Sequence, residues 1–169
     1  MSDTLQFLFE PYSSYSLLNI VLEIIAVVLG FLSVWCSKKN SVWVYPTGMI
    51  STSIYVYLLL NIGLIGDMLI NGYYFFMSIY GWYYWTRSLN GSYINPISRM
   101  NSNEYLISIL LFVFAIIFVF AVYFNFNMWN STIAYIDTIT TAIFFVGMWL
   151  MARRKIENWL FWIIGDIIS

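Results

Sequence analysis

The sequence predicts an all-α integral membrane protein, a polytopic helix bundle that occupies residues 1–169 as a single membrane domain. Three observations lead there. The chain is 62% hydrophobic and only 9% charged, whereas soluble domains carry about 25% charged residues, so water is not its main solvent. Apolar runs near the ~20 residues that a bilayer crossing requires recur along its length. All seven Lys and Arg residues fall in alternate connections between those runs.

The first run covers residues 17–36 and contains Glu23. Asp3 and Glu10 precede it and no Lys or Arg stands before Lys38, so the basic region of a cleaved signal peptide is lacking and the run is expected to stay in the protein. The second run, 42–60, holds Thr47 and Ser51, and its Pro46 removes a helix hydrogen bond. With Gly48, Pro46 marks an expected kink or hinge. The third run, 66–86, carries Asp67 and Asn71. From Arg87 to Glu104 the chain is polar, with turn signals at Asn90-Gly91 and Asn95-Pro96, and reads as a linker. The fourth run, 105–124, is nearly all Leu, Ile, Val, Phe and Ala and is expected to face lipid all round. The fifth, 132–152, contains Asp137 and Thr140. A sixth begins at Glu157 and reaches Ser169 after 13 residues, about 20 Å of helix against about 30 Å of hydrocarbon.

Charge placement orients these runs. Lys38 and Lys39, Arg87 and Arg99, and Arg153, Arg154 and Lys155 follow the first, third and fifth runs, and the connections after the second and fourth have no basic residue. Retained cations mark the cytoplasmic side, which places the N-terminus outside a cytoplasmic, inner-type membrane. The chain has no histidine and one cysteine, Cys36, which excludes an internal disulfide, His-based metal sites and His-dependent triads. No catalytic residue, metal or cofactor is expected. The net charge of −1 says nothing by itself, since in a membrane protein the placement of the charges matters, and nucleic acid is not an expected partner.

The sequence repeats. Glu23, Trp35, the Lys38-Lys39 turn and Trp43 recur as Asp137, Trp149, the Arg153-Arg154-Lys155 turn and Trp159, offset by 114 residues at the first pair and 116 at the last. The pattern is a parallel three-one-three arrangement: a first three-helix unit at 17–86, a linking helix at 105–124 and a second unit at 132–169. Parallel repeats about an axis along the membrane normal are a transporter architecture, with the solute held between the copies. The third run's counterpart would fall near 183–201, beyond Ser169. The expectation is therefore a sixth helix that continues and a seventh helix missing from this chain.

Two stripes are candidates for solute contact. On the third run Asp67, Asn71, Tyr74, Ser78 and Trp82 fall within an arc of roughly 80° at helical spacing. On the sixth, Trp159, Trp162, Asp166 and Ser169 do the same. Carboxylate, amide, hydroxyl and indole groups together suit a solute with an aromatic ring and a hydroxylated part. Polar glue between helices plus an aromatic belt at the membrane surface accounts for the same spacing. Glu23 and Asp137 are intramembrane carboxylates, suited to proton coupling or to hydrogen bonds between helices.

The motifs GLIGDMLIN at 63–71, YGWYYW at 80–85 and ENWLFWIIGD at 157–166, with Trp43, Pro46 and Gly48 in the second run, resemble those of the PnuC family of bacterial vitamin-precursor transporters. The resemblance runs from about residue 17 to the end. It implies a bundle related to the SWEET sugar transporters, a homotrimer in the bilayer, and facilitated diffusion of nicotinamide riboside made one-way by phosphorylation inside the cell. Asp67, Asn71, Ser78, Trp82, Trp159, Trp162 and Asp166 are the expected substrate-binding residues. Family members that carry nicotinamide riboside commonly have glutamine where this chain has Ser78, and thiamine, riboflavin and deoxynucleosides stay open as solutes. Two other classes remain: a membrane-embedded enzyme using paired carboxylates such as Asp67 and Asp166, and a small channel or interaction subunit in which the stripes are packing.

Overall fold

The computed structural model describes residues 16–63, 65–89, 92–126 and 132–169. Among them are six helices: α1 (Leu17–Lys38), α2 (Val44–Asn61), α3 (Ile65–Thr86), α4 (Ser102–Asn125), α5 (Thr132–Ala152) and α6 (Asn158–Ile168). β1 (Ser88–Leu89) and β2 (Ser92–Tyr93) are the only paired strands within the described residues, two residues each. Asp3, Glu10 and the Asn90-Gly91 turn lie outside the described residues. Leu17–Lys38, Ser102–Asn125 and Ala134–Ala152 are long and apolar enough to cross a bilayer. The helices α2 and α3 have comparable lengths of 18 and 22 residues but are diluted by Ser, Thr, Tyr and Asn. Two compact units divide between Asn71 and Gly72.

In the first unit α1 packs on α2. Ser16 caps α1 by accepting the Asn19 amide at 3.2 Å, satisfying one of the donors that a helix start leaves open. Ala26, Val44, Tyr45 and Leu58 are buried between the helices. The Ser51 hydroxyl donates to the Ala26 carbonyl at 2.8 Å and the Ser33 hydroxyl to Val44 at 2.8 Å. Leu17, Val21, Ile24, Val28, Phe31 and Leu32 stand exposed on α1, a face that lipid accepts and water does not. At its far end Lys38 and Lys39 lie 5.8 and 4.9 Å from the Trp35 ring centroid, an arrangement suited to a membrane surface.

Pro46 does not kink α2. It is the third residue of that helix, after Val44 and Tyr45, within the first turn where the N–H has no intrahelical acceptor in any case. The polar residues of the middle helices also need less than their placement in the sequence implies. Thr47 donates to the Trp43 carbonyl at 2.8 Å and Thr140 to Ile136 at 3.0 Å. Such back-bonding to the preceding turn satisfies a hydroxyl without any cavity.

The second unit is built around α5, where Ala142, Phe145, Val146, Met148 and Leu150 are buried, with α4 and α6 packed against it. The helix α4 is not lipid-facing all round. Glu104, Ser108, Ala115, Val119 and Tyr123 are buried, spaced by four, seven, four and four, which is one helix face. That stripe meets α5, and Tyr123 donates its hydroxyl to Asp137. The small side chains on this face allow the close approach that drives helix association in lipid.

The connection before α4 is tied down. Ser98 and Lys155 form a parallel bridge, with the Ser98 amide donating to Arg154 and the Ile156 amide to Ser98, both at 3.1 Å. Arg154 donates to the Asn95 carbonyl at 3.0 Å, and the Met100 amide meets both Glu157 carboxylate oxygens at 3.2 Å. Asn101 and Glu104 close a reciprocal capping box at 2.9 Å in each direction. Glu104 also binds Lys155 at 2.9 Å and Arg153 at 3.2 Å. Burial opposes the Arg153 charge, but hydrogen bonds to Tyr80 and Glu104 outweigh it and raise its pKa above the usual arginine value. Arg154 is buried, holds a left-handed backbone at φ 58° and stacks 4.6 Å from the Trp85 ring. Left-handed geometry costs a non-glycine residue about 1–2 kcal/mol, offset here by these contacts.

Candidate functional site

Glycine lets α5 and α6 approach closely enough to interlock two aromatic rings. At Gly147 on α5 a Cβ would meet Phe161 at 3.3 Å and the Trp162 indole at 3.5 Å. At Gly165 on α6 a Cβ would overlap the Phe144 ring. Each helix thus offers a bare backbone patch to the other's ring. The Phe144 and Trp162 rings stack at 5.4 Å between centroids and 28° between planes. Ring pairs in this geometry contribute about 0.5–1.5 kcal/mol beyond area burial.

A third ring reaches Trp162 from α3. Tyr74 lies 6.3 Å from it at 54°. The neighbouring Tyr73 stacks on Phe145 at 3.9 Å and 10° and donates its hydroxyl to the Phe145 carbonyl at 2.9 Å. Tyr74 meets the same phenylalanine edge-on at 6.3 Å and 62°. Asp166, one turn beyond Trp162 on α6, is exposed. Aromatic surfaces beside carboxylates offer ring stacking and hydrogen bonding in one place.

The seven residues singled out from the sequence are distributed unequally. Trp162 and Asp166 belong to this aromatic cluster. Ser78, on the same face of α3 as Tyr74, is buried at 3% exposure. Trp82 and Trp159 are exposed at 43% and 39%, positions that suit a membrane-surface belt as well as a solute path. Asp67 and Asn71 lie in the first compact unit. There the Asn71 amide donates to the Asp67 carbonyl at 2.9 Å, which leaves its side-chain oxygen and the Asp67 carboxylate outside that bond. Sequence reasoning missed Phe144, Gly147 and Gly165. Their signal was glycine inside helical runs, which commonly has a packing reason.

The family model described as nicotinamide mononucleotide transporter matches residues 20–169. The chain belongs to the nicotinamide mononucleotide transporter family. As a member it is a multi-pass membrane transport protein and not an enzyme. It is 25% identical to the nicotinamide riboside transporter PnuC of Escherichia coli K12, across 88% of this chain and 72% of that protein. The same figures hold for the protein of that name from Shigella flexneri. A solved structure titled as the vitamin B3 transporter PnuC matches with a TM-score of 0.64 and 24% identity, over 98% of this chain and 68% of the other. That likeness establishes a shared fold for this member of the family.

Proposed function

We propose that this chain carries nicotinamide riboside, or a solute of the same ring-and-ribose chemistry, across the bacterial cytoplasmic membrane by facilitated diffusion. Phosphorylation inside the cell then turns the solute into an anion that does not return. The observation that supports this most is Trp162, held by Phe144 and Gly147 with the Tyr74 ring tilted against it and a carboxylate one turn away. A planar base stacks on such a surface, and a ribose needs hydrogen-bonding groups beside it.

In this reading Asp67, Asn71, Ser78, Trp82, Trp159, Trp162 and Asp166 line the path. The N-terminus faces outward, and three copies assemble in the bilayer. Residues 17–86 and 132–169 act as the two units of a parallel repeat joined by the helix at 105–124, the arrangement of the SWEET proteins. The relatives named for nicotinamide riboside transport support the choice of solute.

The test is binding of radiolabelled nicotinamide riboside to the purified chain in lipid nanodiscs, alone and in competition with thiamine, riboflavin and deoxynucleosides. Saturable binding that Trp162→Ala weakens by about 1 kcal/mol or more is expected. Binding that favours another vitamin, or is indifferent to Trp162, would replace the solute or the site.

A further inference from the structure

Two adjacent tyrosines on α3 are used in different ways. Tyr73 spends its hydroxyl on the Phe145 carbonyl and its ring on a parallel stack with Phe145. Tyr74 has three ring neighbours, Tyr73, Phe145 and Trp162, but its hydroxyl has no hydrogen-bond partner among the described residues. Asp166, one turn beyond the Trp162 that Tyr74 meets, and Asp137 are close enough for their charges to act on it. Asp137 already accepts from Tyr123, whereas the Asp166 carboxylate makes no hydrogen bond among the described residues. A donor and an acceptor without hydrogen-bond partners among the described residues therefore stand beside one aromatic cluster, Asp166 on its exposed side, where water or a solute can meet both.

We infer that Tyr74 is a specificity-determining residue, its hydroxyl donating to the sugar diol of a solute whose ring lies against Trp162, while Asp166 accepts from the same diol. The inference rests on the ring-and-ribose reading above and adds to it the group that recognises the ribose. A vicinal diol both accepts and donates, and the pair supplies one partner of each kind. A solute without the diol would leave both protein groups unpaired, and sites built this way reject such analogues strongly. Tyr73, one residue earlier, is excluded from the role because its hydroxyl already holds α3 to α5.

The experiment measures affinity of the chain in nanodiscs for nicotinamide riboside and for its 2′,3′-dideoxy analogue, which keeps the ring and the glycosidic bond. Wild type should prefer the riboside by about tenfold or more. Tyr74→Phe keeps the ring and removes only the oxygen. It should leave affinity for the dideoxy analogue within about twofold and bring the preference below about threefold. Asp166→Asn, which retains an acceptor but loses the charge, should reduce the preference in the same direction. A preference unchanged in Tyr74→Phe, or an equal loss for both compounds, would overturn the assignment of Tyr74. Failure of wild type to bind either compound would instead remove the solute reading on which the assignment depends.

Discussion

The ring of Phe144 on α5 occupies the space that a side chain at Gly165 on α6 would need. This contact fixes the separation of the two helices and sets the face that Phe144 presents to Trp162. Gly165→Ala should force the ring or the helices apart at a cost of about 1–3 kcal/mol, the usual range for overpacking. Thermal unfolding of the solubilised protein checks this. A second substitution, Phe144→Leu, should recover part of the loss, since it removes Cε1 and Cζ, two of the three ring atoms that an added Cβ would meet. Full stability in Gly165→Ala alone would mean the helices are not held at this spacing.

Glu104 is the sole anion bonded to both Lys155 and Arg153 among the described residues. Lys155 is 10% exposed at its side chain and Glu104 4%, whereas Arg153 is 30% exposed and regains water more easily. Removing one member of a buried pair costs about 3–5 kcal/mol, and most of that should come from Lys155. Glu104→Gln should therefore lower the unfolding midpoint sharply. Arg153→Gln should lower it by much less, because a partly exposed ion pair contributes only about 0–1 kcal/mol.

Tyr123 and Asp137 join α4 to α5 through one hydrogen bond. Asp137 thus ties the start of α5 to the end of α4. A double-mutant cycle with Tyr123→Phe and Asp137→Asn should give a coupling of about 0.5–3 kcal/mol in stability. Independent effects would remove the bond from the account.

Much of the helical layout was legible because apolar runs of crossing length leave few alternatives. The limits of α4 show where that signal ends. Apolar residues delimit 105–124, yet the helix starts at Ser102, since Asn101 and Glu104 form its first turn through side-chain capping rather than hydrophobicity. By composition Glu104 is the end of a polar linker. Its partner Arg153 is 49 residues away, and periodicity carries no information about which charges meet across that distance. The lipid-facing reading of α4 failed for a related reason, because Ala115 and Val119 are as apolar as lipid and still pack against α5. At the candidate site, spacing identified Trp162 and Asp166 on one face. It did not reveal that Phe144 fills the neighbouring space, which depends on two glycines in different helices.

Pro46 in the first turn of α2 supplies no missing interhelical hinge. Pro46→Ala should change transport and stability little, within about 0.5 kcal/mol for the latter. A large loss of transport with normal stability would restore the hinge reading.

Flux of labelled nicotinamide riboside into liposomes containing the full chain, with no ion gradient imposed, tests the account most directly. The internal concentration should rise to the external value and stop there, at a rate far above protein-free vesicles, and an imposed proton gradient should leave that end point unchanged. No flux above the protein-free control, or accumulation beyond the external concentration when a gradient is applied, would contradict passive carriage of this solute.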